Sequence, residues 1–329
     1  MQKTLLLILC LAPCWLTAQT VDSVVFRQVD SLIKVSGALT DEQKFDKAFE
    51  VGAAAEQLAL EKLGKESAAY AKCCSNRGRV NLNKGNYSES EKWYFQARAI
   101  QEKTIGKQHY DYAVLLNNLA LLYYYLQDHE KAEQFFLEAL SVYEKVLGKE
   151  HLNFAACLDG LGLIYYEMGD YEKAEPIYLE SKAIYEKKLG IEHPQYASCL
   201  NNLAILYIDM GNSKKAETLY LEAQSIIEKA QGKENPEYAV SLNNLALRYH
   251  DDGDYEKAEL LYLEAIAIYE KIQGKESPWY AISLFNLGTH YFDKGDYEKA
   301  EPLHVEAKAL LEKTLGKEHP IYAEALDDL

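Results

Sequence analysis

Histidines, cysteines and a recurring Gly-Lys pair are the residues in this 329-residue chain whose types could support chemistry. Metal binding, thiol catalysis and phosphate binding would each require a particular spacing. His109, His151, His193 and His319 share one position of a 42-residue spacing, which marks a turn residue; His129, His250, His290 and His304 stand alone. No Cys-x-x-Cys, His-Glu-x-x-His or Gly-x-x-x-x-Gly-Lys-Ser/Thr run occurs, so the spacing supports neither a zinc site nor a phosphate loop. The Gly-Lys pairs close helices instead of opening them. No catalytic residue, metal or cofactor is assigned, and the chain is read as a non-enzyme. What remains is a set of amides: Asn117-Asn118, Asn201-Asn202 and Asn243-Asn244, with Asn76 and Asn286 in the same row. Asn in mid-helix is unfavourable because its side chain competes for the backbone, so the repetition needs a reason. An amide offers both donor and acceptor to a ligand's backbone. The competing reading is a ladder that ties neighbouring hairpins together.

The elements that position these residues follow from one period. Gly64, Gly106, Gly148, Gly190, Gly232, Gly274 and Gly316 are spaced by 42 residues without an insertion, which means a solenoid. In the unit 193–231, Pro194 opens a helix that runs to about Met210. Gly211-Asn212 breaks the chain, and a second helix follows over 213–231. Leu200, Leu203, Ala204 and Tyr207 fall on one arc of the first helix; Ala216, Tyr220 and Ala223 recur on the second. The fold class is therefore all-α, a solenoid of antiparallel helix hairpins. Complete hairpins are expected at 67–105, 109–147, 151–189, 193–231, 235–273 and 277–315. A degenerate capping hairpin is expected before them, with its helices near 22–39 and 44–63. Asp327-Asp328-Leu329 aligns with the Asn-Asn-Leu of a first helix, so 319–329 reads as the start of a further, truncated repeat. Its apolar face would be open to end-to-end self-association. Pro176 and Pro302 fall inside second helices and predict a kink or a late helix start there.

The pattern Leu-Ala-x-x-Tyr, a Gly break, then Ala-x-x-x-Tyr-x-x-Ala resembles the tetratricopeptide repeat. Leu116-Asn117-Asn118-Leu119-Ala120, Leu200-Asn201-Asn202-Leu203-Ala204 and Leu242-Asn243-Asn244-Leu245-Ala246 are similar to the 42-residue repeats of kinesin light chains. Asp159-Gly160 and Phe285-Asn286 depart from that pattern. The resemblance implies a right-handed superhelical solenoid and a protein- or peptide-binding scaffold whose ligand lies along the first helices. From the 100° rule that face carries Ser198, Asn201, Ile205, Ile208 and Asp209, with Asn202 at its edge. Corresponding rows supply Asn76, Asn117, Asn118, Asn243, Asn244 and Asn286, and the aromatics Tyr124, Tyr166 and Phe292. The outer edge reads acidic through Glu167, Asp209, Asp251 and Asp293. Arg79 beside Asn76 is the exception, so a clamp for an acidic C-terminus is not expected. Exported arrays of this type are also similar to the N-terminal halves of bacterial proteins ending in a caspase-like CHAT peptidase domain. That resemblance implies an alternative role as the sensing arm of a larger protein.

Charge and the N-terminus bound the partners. A net charge of −16 repels phosphate backbones and anionic lipid, which excludes nucleic acid and favours neutral or basic polypeptides. Lys3, the apolar run from Leu5 and the small Ala18 read as a signal peptide over residues 1–18. The run is too short to span a bilayer, so export to the periplasm or extracellular space is expected; anchoring through Cys14 is the minor alternative. Cys73, Cys157 and Cys199 share a repeat slot with Ser241 and Ser283. Together with Cys74 they read as small buried residues and not as disulfides.

Overall fold

The computed structural model describes residues 12–316, with side chains from Asp22 onward. Among these residues there are fourteen α-helices and no strand. They come in consecutive pairs: α1 (Ala12–Asp41) with α2 (Phe45–Lys62), α3 (Ala68–Asn83) with α4 (Tyr87–Thr104), α5 (Tyr110–Tyr125) followed by α6 (His129–Leu147), and α7 (Leu152–Glu167) with α8 (Tyr171–Leu189). The series continues with α9 (Pro194–Asp209) and α10 (Ser213–Gln231), α11 (Pro236–Asp251) and α12 (Tyr255–Gln273), and α13 (Pro278–Asp293) and α14 (Tyr297–Thr314). The expected leader cleavage point lies along α1, where side chains are undescribed, and the truncated repeat at 319–329 lies outside the described residues. The chain divides within α5 into two compact units, one ending at Leu122 and the other starting at Tyr123. In the first unit α1 packs on α2 and α3, and α3 on α4; in the second each helix from α6 to α14 packs on the next.

The hairpin turn is built the same way each time. Gly85, Gly169, Gly211, Gly253 and Gly295 have φ between +73° and +81°, the left-handed conformation that ends a helix at little cost for glycine. The next N–H then reaches back five residues: Asp170 to the Tyr165 carbonyl at 2.8 Å, Asn212 to Tyr207 at 2.7 Å, and Asp296 to Tyr291 at 2.9 Å. Gln43 and Gln127 fill this slot in two hairpins, at φ +57° and +58°, and carry a Cβ where glycine has none. Helix starts are capped by side chains. Ser67, His109, His151, His193, Asn235 and Ser277 occupy one slot and each accepts a backbone N–H of the first turn. This explains His109, His151 and His193, whose Nδ1 is the acceptor.

The expected late starts at the internal prolines are not found. α8 begins at Tyr171 and α14 at Tyr297, the position at which α12 begins with Tyr255. Asp170 caps α8 through its side chain, Asp296 holds the same position before α14 without a side-chain cap bond, and Pro176 and Pro302 lie a turn later, where each removes one N–H from a helix already formed.

One apparently solvated segment has a second role. The second Glu of each Tyr-Glu-Lys-Ala-Glu type run reaches the following hairpin. Tyr165 donates its hydroxyl to Glu133 at 2.7 Å, Tyr207 to Glu175 at 2.6 Å, Tyr249 to Glu217 at 3.2 Å and Tyr291 to Glu259 at 2.8 Å. Over the same rings stand Lys173, Lys215, Lys257 and Lys299, with Nζ 3.6–5.1 Å from the centroids. Every seam of the second unit from α6 to α13 thus carries a charge-assisted hydrogen bond capped by a cation.

Candidate functional site

In the first unit, α1, α3 and α5 form a concavity of about 590 Å³. Asn76 and Asn118 both line it; Asn117 is half-buried beside them. The wall has mixed charge, and it includes Arg79, the exception to the acidic edge noted in the sequence. Lys72 sits between two carboxylates, 3.0 Å from Asp30 and 3.4 Å from Asp111. Burial alone would raise the Asp30 carboxyl, but the bonds and charges of Lys72 and Lys34 outweigh it and hold it below its ordinary value. Lys72 was not singled out from the sequence, although it occupies the row of Ser198. Arg79 pairs with Asp41 at 3.7 Å.

Asn76 is fixed in orientation. Ser36 gives its hydroxyl proton to the Ala48 carbonyl at 2.8 Å, so its Oγ can only accept from Asn76 Nδ2, at 2.9 Å. Asn76 Oδ1 is left buried without a protein partner.

In the second unit the amides lie at the seams between hairpins. Asn243 donates to Ser283 of the next hairpin at 2.8 Å, and its Oδ1 has no partner. Asn201 is buried with its Oδ1 likewise unpaired. Asn202, Asn244 and Asn286 are half-buried. Their row leans toward the preceding hairpin, because a Cβ built on Gly160 in that row would meet the Phe136 ring of α6 at 2.4 Å. The aromatics pack within their own hairpins. Tyr124 lies 5.4 Å from Tyr125 and 6.4 Å from His129, Tyr166 is 5.8 Å from Tyr171, and Phe292 is 5.2 Å from Tyr297. Phe292 remains 49 % exposed. The acidic edge is partly consumed by its neighbours: Asp209 takes the Tyr166 hydroxyl, and Asp293 Oδ2 lies 3.1 Å from His250 Nε2.

A sequence comparison settles the family. The tetratricopeptide repeat profile matches residues 75–145, 111–187, 154–226, 200–271, 237–307 and 279–329. The chain belongs to the tetratricopeptide-repeat family. Among solved structures it is similar to a Rap protein complexed with competence and sporulation factor, at 17 % identity and TM-score 0.65, covering 92 % of this chain and 86 % of that one. It is also similar to BtubC (BKLC) from P. vanneervenii, at 24 % identity and TM-score 0.52, covering 71 % and 91 %. A putative kinesin light chain with nearly identical repeats from P. anserina aligns at 26 % identity and TM-score 0.49, covering 60 % and 94 %. No curated protein matches.

Two departures from the tetratricopeptide pattern create unusual electrostatics. Asp159 stands where other repeats have Asn. It accepts from the Ser181 hydroxyl and, at 2.8 Å, from Tyr185, both on α8, with the Cys199 thiol of α9 next to Ser181 at 3.1 Å. Burial pushes its carboxyl up to about 6, against the partial relief of these bonds. His290 occupies a slot that holds Ile164 and Leu206 in other repeats. Its Nδ1 lies 2.9 Å from His250 Nδ1, and its Nε2 is buried without a partner. Burial, followed by the His250 charge, lowers His290 to about 4. Among the described residues no cluster of three or more His, Cys, Asp or Glu has metal-binding geometry. Cys73, Cys74, Cys157 and Cys199 are free and buried.

Proposed function

We propose that this tetratricopeptide array is a scaffold that holds an extended polypeptide, neutral or basic, along the exposed face of its first helices. The observation that carries the reading is the recurrence, within each unit, of incompletely bonded amides on the first helices. Asn76, Asn201 and Asn243 each bury a carbonyl oxygen with no partner in the protein. A buried acceptor left unpaired costs about 1–3 kcal/mol, and water or the N–H of a bound backbone must complete it. A ligand backbone supplies such donors at regular intervals. The net charge of −16 favours a basic segment over an acidic one. A protein of similar fold, the Rap protein, is known in complex with competence and sporulation factor, which supports the reading at the level of the fold. Export is proposed on the separate ground of residues 1–18, and N-terminal sequencing of the secreted protein tests it.

The test of the binding reading is selection of peptides from a display library on the full chain, with bound peptides mapped by crosslinking and mass spectrometry. Crosslinks are expected on α3, α5, α9, α11 and α13. Asn201→Ala and Asn243→Ala should each weaken binding by roughly threefold to tenfold, the worth of one hydrogen bond. Crosslinks confined to the second helices, with affinity indifferent to both substitutions, would overturn the proposal.

A further inference from the structure

The concavity of the first unit holds a polar residue where the other seams hold an apolar or aromatic one. Gln101 on α4 stands in a slot that the other second helices fill with Ala59, Tyr143, Tyr185, Ile227, Tyr269 and Leu311. It is only 2 % exposed, lines the concavity, and its Oε1 has no hydrogen-bond partner. Asn76, 6 % exposed, brings a second unpaired carbonyl oxygen to the same wall. The cations of the site are each paired with a carboxylate: Lys72 lies between Asp30 and Asp111, Lys34 is on Asp30, and Arg79 is on Asp41. The buried polar atoms of this wall that lack a partner are both acceptors, the amide oxygens of Gln101 and Asn76, and the carboxylates beside them have lone pairs to spare. Asp41 is the loosest-held of these, being largely exposed and 3.7 Å from Arg79.

A group that complements this wall brings several N–H donors in one plane and no acceptor of its own. That description fits a guanidinium, which has five N–H groups in a fixed fork and is weakly hydrated for a cation. We infer that this concavity is a subsite for an arginine side chain of the bound polypeptide, with Gln101 Oε1 and Asn76 Oδ1 as its inner acceptors and Asp41 at its mouth. The inference rests on the polypeptide-binding reading above and names the residue that this part of the face selects.

The experiment is calorimetric or NMR titration of the full chain with a blocked Gly-Arg-Gly tripeptide, its citrulline counterpart and free L-arginine. Citrulline keeps the shape but replaces a charged donor by a carbonyl. The arginine tripeptide should bind at least tenfold more tightly than the citrulline one, and more tightly than free arginine. Gln101→Met, which keeps the length and removes the carbonyl, should weaken the arginine tripeptide by roughly tenfold. Gln101→Leu, which installs the residue found at Leu311, should do the same and provides a second variant should the first fold poorly. Equal affinity for the arginine and citrulline tripeptides, or undiminished binding by both variants, overturns the inference. Tighter binding of free arginine than of the tripeptide overturns the peptide as its source. If arginine tripeptides fail to bind while library-selected peptides still crosslink to the first helices, the subsite falls and the binding reading stands. If neither binds, both fall.

Discussion

Replacing Asp159 by Asn should stabilise the protein at pH 8 and leave it nearly unchanged at pH 4. In the folded chain the Asp159 carboxyl ionises near 6, against an ordinary value of 3.8. Between those values the native state holds a proton that the unfolded chain has released, so stability falls as pH rises through this window. The loss is complete above about pH 6. At 1.36 kcal/mol per pH unit of difference, the charged carboxylate costs the fold up to about 3 kcal/mol at neutral pH. Asn does not titrate. Its Oδ1 can accept from Tyr185, and its Nδ2 can donate to Ser181, so the hydrogen bonds of the site survive. The expected gain is about 2–3 kcal/mol at pH 8 and close to zero at pH 4. Urea midpoints followed by circular dichroism at pH 4, 6 and 8 for both proteins measure it. An equal gain at all three values would trace the effect to packing, and a loss at pH 8 would mean that Ser181 and Tyr185 more than repay the buried charge; either result refutes the reasoning.

His290 should act in the opposite direction. Its folded value near 4 lies below the ordinary 6.5, so stability is lost as pH falls from 6.5 through 4. His290→Leu should remove up to about 3 kcal/mol of that acid sensitivity, seen as a lower acid-unfolding midpoint. Gln127→Gly should raise stability by about 0.5–1 kcal/mol, since relief of the left-handed backbone exceeds the entropy that glycine adds to the unfolded chain; an unchanged urea midpoint would contradict this. The four described cysteines should resist a thiol reagent in the native protein and react on denaturation. Burial pushes Cys73, Cys74 and Cys199 up to about 12 and Cys157 higher still, so rapid native labelling would refute their placement.

The period and hairpin architecture were legible because they depend on local chemistry. Gly at the left-handed turn, an acceptor before Pro194 and small Ala at close helix approaches each act within a few residues of chain. The same logic anticipated that the recurring histidines were turn residues, though not that their Nδ1 atoms cap helices. The candidate face was only half legible. Helical geometry put Asn201 and Asn243 on the first-helix surface, but the depth to which a neighbouring hairpin covers them is set by packing across about 40 residues. That is why Asn243 was found bonded to Ser283, and why Asp209 and Asp293, read as a free acidic edge, proved to be engaged by Tyr166 and His250. Gln101 carried a signal that could have been used: it is the one polar residue in a slot otherwise filled by Ala, Tyr, Ile and Leu.

The tyrosine–glutamate bonds that recur at the seams of the second unit bear on how such a chain can change length. Tyr165, Tyr207, Tyr249 and Tyr291 each find their glutamate 32 residues earlier, so every seam presents the same donor to the same acceptor. Excising 42 residues between two equivalent points would bring a tyrosine from one hairpin against a glutamate from another, with the bond, the covering lysine and the register intact. Unequal crossing-over in the gene would then produce a shorter or longer array with no orphaned partner at the join. Hairpin number can drift under selection for reach along a ligand, while the chemistry of each joint remains interchangeable.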